Sequence, residues 1–183
     1  MSASTQIENV AGSKAGELAL VGSELTDSDS GQQFLTFMLA GEEYGVDILK
    51  VQEIKGWTPV TRVPNTPEYV RGVLNLRGTI VPVVDMRMRF SLEQIEYNAT
   101  TVIIVLSVRS GNADRVIGVV VDAVSDVLNV EESDIKPAPD FGVKVKIEFV
   151  SGLATVDDHM VMLLDVDKLL TETELSELEA ASE

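Results

Sequence analysis

The stretch Val70-Arg71-Gly72-Val73-Leu74-Asn75-Leu76-Arg77-Gly78-Thr79-Ile80-Val81-Pro82-Val83-Val84-Asp85 decides the fold. Val73–Leu76 and Thr79–Asp85 are β-rich runs on either side of Arg77-Gly78, which predicts a hairpin. The pattern returns later in the chain. Val70-Arg71-Gly72-Val73 aligns with Val150-Ser151-Gly152-Leu153, at an offset of 80 (150 − 70). At that offset Arg77-Gly78-Thr79 falls on Asp157-Asp158-His159, and Val84-Asp85 falls on Leu164-Asp165. Upstream, Tyr44-Gly45-Val46 aligns with Ile117-Gly118-Val119 and Pro64 with Pro137, at an offset of 73 (117 − 44). The seven-residue difference (80 − 73) is assigned to an insertion at Phe141–Ile147. Order, spacing and residue class agree, so the chain reads as an internal repeat. Two copies of about 65 residues, each with about five short strands, predict two small β-barrels. Either alone is marginal in buried area, so a shared core is expected.

Working outward, Phe34–Leu39 reads as a strand turned through Ala40-Gly41-Glu42-Glu43 into Tyr44–Ile48. Leu49–Ile54 suits helix or strand. Thr58–Asn65 is extended, because Pro59 and Pro64 forbid an interior helix. Thr66-Pro67 predicts an N-cap opening one short turn, and Ser91-Leu92-Glu93-Gln94 has the capping-box spacing of a short helix. Thr101–Ser107 and Val116–Asp122 are strands around the turn Ser110–Asp114, and Val124–Val130 continues the second. Pro137 and Pro139 mark a loop, and Gly152–Val156 with Met160–Asp165 forms the second hairpin. Thr171-Glu172-Thr173-Glu174 predicts a capped terminal helix with Leu175 and Leu178 on one face. Residues 1–31 lack aromatics and are rich in Ser, Ala, Gly, Glu and Asp, which predicts a flexible tail. The expected layout is a tail over 1–31, a first barrel over about 32–95, a second over about 96–170, and an acidic helix over 171–183.

The 183 residues are 45% apolar, enough for a sizeable core, and contain no cysteine. Disulfides, thiolate metal sites and cysteine nucleophiles are excluded. No apolar run reaches the roughly 18–20 residues that span a bilayer, and no signal peptide is evident, so a cytoplasmic protein without membrane insertion is expected. A net charge of −16 disfavours nucleic acid. The charge is uneven. Residues 50–90 hold seven basic and three acidic side chains, whereas residues 171–183 hold five glutamates and no Lys or Arg. That basic stretch suits either an acidic partner or a solvated rim.

The search for chemistry fails. The one histidine, His159, falls at a hairpin tip. There is no Walker A sequence, no Gly-x-Gly-x-x-Gly and no supported Ser–His–Asp order. No metal site or cofactor is expected. Asp85 and Asp165 occupy equivalent strand ends, where duplication explains the pairing; each is expected to accept loop amides rather than move protons. What remains is surface for partners. Glu53 and Arg77 lie beside apolar Val51, Ile54 and Leu76, a pattern that fits either recognition or edge-strand protection.

Several blocks resemble one family, the CheW coupling proteins of bacterial chemotaxis. They are Phe34–Phe37, Glu43–Ile54, Asn65–Pro67, Gly72–Gly78 with Ile80–Asp85, and Val119–Leu128. Asn75-Leu76-Arg77-Gly78 followed by Pro82-Val83-Val84-Asp85 is the most specific. The likeness covers about residues 32–170. It implies two tandem SH3-like five-stranded barrels around a common core, and a non-catalytic adaptor, monomeric when free. Such an adaptor joins the cytoplasmic tips of methyl-accepting chemoreceptors to the regulatory domain of the histidine kinase CheA, in arrays beneath the membrane. Carried over by position, the receptor-facing residues are Val51, Glu53, Gly72, Arg77, Val102 and Val127. Kinase contacts fall on Lys136 and Phe141, and at the opposite barrel end on Arg71 and Ile80.

Other readings are a CheW-like module of a larger kinase or of the CheV type, a nucleic-acid-binding tandem barrel, and a small enzyme. The first would need an ATP-binding or receiver domain. The second would need a basic, aromatic face, against the 5% aromatic content here. The third would need a pocket of perturbed carboxylates.

Overall fold

The computed structural model describes residues 31–93, 95–137, 149–156, 158–171 and 173–177. Eleven strands carry the fold: β1 Gln32–Leu39, β2 Glu42–Asp47, β3 Val51–Gly56, β4 Val70–Leu76, β5 Thr79–Asp85, β6 Val102–Ser110, β7 Ala113–Val121, β8 Ala123–Val130, β9 Ile135–Lys136, β10 Val150–Val156 and β11 His159–Leu164. Helix α1 is Met86–Arg89, and 3₁₀ turns cover Ile48–Lys50, Glu132–Asp134 and Val166–Lys168.

The strands form two sheets, ordered β8-β1-β2-β11-β10-β9 and β3-β6-β7-β5-β4. The repeat is visible strand by strand. At an offset of 80, β4 falls on β10 and β5 on β11; at an offset of 73, β2 falls within β7 and β3 within β8. The bridge Thr61↔Val73 has a counterpart in Lys136↔Leu153, in which Leu153 is the mate of Val73 and Lys136 stands two residues beyond the mate of Thr61. The expected boundary near residue 95, however, does not separate the sheets. Hairpin β1–β2 of the first repeat joins β8, β10 and β11 of the second, while β6–β7 joins β3, β4 and β5 of the first. Each hairpin makes one parallel join, β11 beside β2 through Leu163↔Gly45 and β5 beside β7 through Val83↔Gly118, and one antiparallel join, β1 beside β8 and β6 beside β3. Strand length and alternation fix where strands lie, but not which repeat supplies the neighbour.

This exchange explains the unbroken apolar runs. In β6, Ile104, Leu106 and Val108 enter the central core while Ile103 and Val105 enter the smaller core of their own barrel. In β1, Leu35 and Phe37 face the central core and Phe34 the other small core. Strands buried on both faces read as continuous hydrophobic runs rather than alternation. Both repeats feed the central core: Phe37, Tyr44 and Phe90 from one, Ile117, Phe149 and Leu164 from the other.

Three local expectations change. Leu49–Ile54 resolves into the end of a 3₁₀ turn and strand β3. Thr66-Pro67 opens a turn and no helix; Thr66 Oγ1 donates to Val63 O at 3.0 Å. Ser91 does not begin a helix; it ends α1. Its φ is +60°, Ser91 N donates to Met88 O and Leu92 N to Arg87 O. That bond pair with a left-handed residue is the Schellman closure of a helix C-terminus. The capping box at Thr171 is present: Thr171 N donates to Glu174 Oε1 at 2.8 Å, Glu174 N donates to Thr171 Oγ1 at 3.1 Å, and residues 173–177 are helical. Leu175 is buried; Leu178 and the insertion at Phe141–Ile147 lie outside the described residues.

Candidate protein-docking surfaces

The paired aspartates do what duplication suggested. Asp85 Oδ1 accepts from Met88 N at 3.2 Å and caps α1; Asp165 Oδ1 accepts from Asp167 N at 3.1 Å. Their own amides donate to Tyr69 O and Phe149 O, again at equivalent positions. The Tyr97 hydroxyl also donates to Asp85, and burial with that bond pushes the phenol well above its ordinary range. His159 stands on an exposed tip, 3.6 Å from Glu43.

The chain changes sheet at Asp122, so Val124–Val130 does not simply continue β7. A polar clasp pins the change. Arg87 Nε and Nη2 grip the two Asp122 oxygens at 2.8 and 2.6 Å, Arg87 Nη1 donates to Glu93 O, and Ala40 N donates to Asp122 Oδ2 at 2.9 Å. Burial raises the Asp122 pKa, but the bonds from Arg87 and Ala40 and the Arg87 charge outweigh it and hold the carboxyl below its ordinary value. A depressed carboxyl stabilises the fold above its unfolded pKa, near 3.9, and that stabilisation is lost as pH falls through the folded value. Asp122→Asn is therefore expected to cost about 2 kcal/mol at neutral pH, and its stability should fall less steeply than wild type below about pH 4. Urea melts of both proteins across that range check this.

Of the receptor-facing candidates, Glu53 and Arg77 meet: Arg77 Nη2 lies 2.8 Å from Glu53 Oε1, with the arginine side chain 78% exposed. Arg77 sits in the β4–β5 turn with φ +52°, where Asn75 Oδ1 accepts from Gly78 N. Val51 and Val102 lie on the neighbouring strands β3 and β6, half-buried against the central core. Val127 projects from β8 in the other sheet. Gly72 is buried and offers no side chain; it holds the β4 bulge against Thr61.

Among the kinase candidates, Arg71 and Ile80 share the β4–β5 hairpin. Arg71 lies 5.7 Å from the Tyr97 ring centroid, and Ile80 is exposed. Lys136 is on β9 of the other sheet, on the rim of a cleft of about 570 Å³ shared with Lys50, Glu132 and Asp165. Phe141 lies outside the described residues. Ile54, read from the sequence as part of the surface beside Glu53, is exposed; sequence reasoning missed exposed Leu49 and Met160. Met160 could have been found, because at an offset of 80 it is the repeat mate of Ile80.

Comparison with known proteins gives a consistent answer. The family model described as CheW-like domain matches residues 33–174. The chain is 47% identical over 154 residues to chemotaxis protein CheW of Klebsiella aerogenes, covering 84% of this chain and 90% of that one. It is 33% identical over 141 residues to chemotaxis protein CheW of Bacillus subtilis, covering 77% and 88%. The crystal structure of scaffolding protein TtCheW from Thermoanaerobacter tengcongensis superposes with a TM-score of 0.69 at 33% identity, covering 76% of this chain and 87% of that one. With two sheets of matching architecture and a family match over most of its length, the chain belongs to the CheW-like domain family.

Proposed function

We propose that this chain is a non-enzymatic chemotaxis scaffold that couples chemoreceptor cytoplasmic tips to the regulatory domain of a CheA-type histidine kinase, acting from the cytoplasm at membrane-associated arrays. The observation that carries the reading is the Glu53–Arg77 pair, with its arginine exposed, at the outer strand β3 of its sheet among the described residues, in a chain of this family. Half-buried Val51 and Val102, at the two ends of the β3–β6 pair, with a charge pair whose glutamate stands on β3, suit the apolar face of a helix, and the charges fix its register. Val127 extends this surface from β8, and Gly72 acts through the placement of the β4–β5 hairpin. Kinase contacts fall on Arg71 and Ile80 of the β4–β5 hairpin and on Lys136 of β9, with Phe141 assigned from the resemblance alone. Kinase activity then changes through geometry, because the chain supplies contacts and no reacting group.

A pull-down with a CheA-type kinase and a receptor cytoplasmic fragment tests this. Arg77→His and Glu53→Lys are expected to weaken the receptor arm about tenfold or more and leave the kinase arm intact. Thermal stability should stay within about 0.5 kcal/mol of wild type for Arg77→His, since an exposed ion pair contributes little. Capture of neither partner by the wild type defeats the reading.

A further inference from the structure

Two charge features of the sequence play no part in the coupling reading. They are the basic stretch over 50–90 and the five glutamates, without a cation, over 171–183. The fold brings the two together. Glu174 and Glu177, on the helix over 173–177, line a small cavity of about 40 Å³ with Pro67 and Tyr69. Asn65, Thr66, Pro67 and Val70 wall both this cavity and an open cleft of about 360 Å³. Arg62 and Arg71 stand on that cleft with Glu68, which leaves it one positive charge in excess (2 − 1).

Neither arginine has its charge answered. Lys50, Arg77, Arg87 and Arg89 of the same stretch each lie within 4.0 Å of a carboxylate. Arg62 is exposed and Arg71 half-buried, and no carboxylate among the described residues pairs with either. The Arg71 guanidinium is held instead by the Tyr97 ring at 5.7 Å and by Met88 Sδ at 3.8 Å. It is fixed at the cleft by groups that carry no charge. The repeat shows that the barrel itself needs neither cation. At offsets of 73 and 80 the equivalent residues are Ile135 and Ser151, in the cleft beside Pro137.

We propose that the acidic segment 178–183 of the same chain occupies this cleft, with Glu179 and Glu183 on Arg62 and Arg71, and covers a kinase contact until the kinase displaces it. Charge complementarity and reach select the occupant. Six residues follow Glu177, and extended they span about 20 Å. The cavity that Glu177 lines and the cleft share a wall, so the path is short. Exposed ion pairs are individually weak, but the tether holds these carboxylates at a local concentration on the order of millimolar. The covering of Arg71 rests on the coupling reading above, which makes it a kinase contact; the docking of the segment does not.

The chain has no cysteine, so Ser182→Cys accepts a single nitroxide label in the full chain. At low salt the label is expected to broaden the amide resonances of Arg62, Val63 and Arg71 strongly and those of the β10–β11 hairpin little. About 0.5 M salt, or Arg62→Glu, should restore most of the lost intensity. Broadening that is absent at the cleft, or unchanged by both salt and Arg62→Glu, overturns the docking. The second arm is calorimetric titration with the regulatory domain of a CheA-type kinase. Glu179→Gln with Glu183→Gln is expected to bind about threefold or more tighter than wild type at low salt, because a covered cleft leaves only a fraction of chains competent. Equal affinities, in a wild type that binds, overturn the covering of Arg71 and leave the coupling reading standing. A wild type and variant that both fail to bind overturn the coupling reading and the covering with it, while the broadening still decides the docking.

Discussion

Replacing Phe90 with alanine is expected to lower the unfolding free energy by about 3–5 kcal/mol, the usual range for emptying an aromatic site in a packed core. Phe90 is 1% exposed, and its ring lies 5.5 Å from Phe149 and 5.8 Å from Tyr44, which stacks in turn on Phe37 at 6.0 Å. The row crosses from the first repeat to the second through the central core. Loss of this inner ring, between Tyr44 and Phe149, should therefore weaken both sheets together. Far-ultraviolet dichroism should show one transition at lower denaturant, with no intermediate retaining half the signal. Two separated transitions would mean that the barrels melt independently despite their exchanged hairpins.

Gly72→Ala is expected to destabilise on the order of 3 kcal/mol or more, a large effect for one methyl group. Gly72 has φ +150°, and an added Cβ would lie 2.2 Å from Thr61 O and 2.8 Å from its carbonyl carbon. These are backbone atoms of the paired segment: Thr61 N donates to Val73 O at 2.9 Å and Val73 N to Thr61 O at 2.8 Å. The segment must move, and the bridge breaks as it does. A receptor-binding defect in Gly72 variants then follows from displacement of the hairpin carrying Arg77. Wild-type melting combined with lost receptor binding in Gly72→Ala would instead make position 72 part of the contact surface.

The repeat was legible because its two hairpins kept their spacing, and β4–β5 and β10–β11 register at one offset. The partner of each hairpin was not legible. A strand buried on both faces, such as β7, carries no alternation to say which neighbour lies on which side. Helix α1 was missed because Asp85 doubles as the end of β5 and the cap of a four-residue helix, too short for periodicity. Ser91 misled because a serine before Gln94 has the spacing of an N-cap, while the φ of +60° that makes it a helix terminus leaves no mark in the sequence. Glu53 and Arg77 were found beside their apolar neighbours Val51, Ile54 and Leu76; that the two pair depends on the β4–β5 turn reaching back over β3. The Arg87–Asp122 clasp joins residues 35 apart with no local pattern to announce them.

Co-sedimentation of a CheA-type kinase with receptor-containing vesicles, with and without this chain, tests the coupling claim most directly. The prediction is that kinase reaches the vesicle pellet in proportion to added chain, and that Arg77→His abolishes this while still binding kinase in solution. Kinase sedimenting equally without the chain, or equally with Arg77→His, would contradict the account.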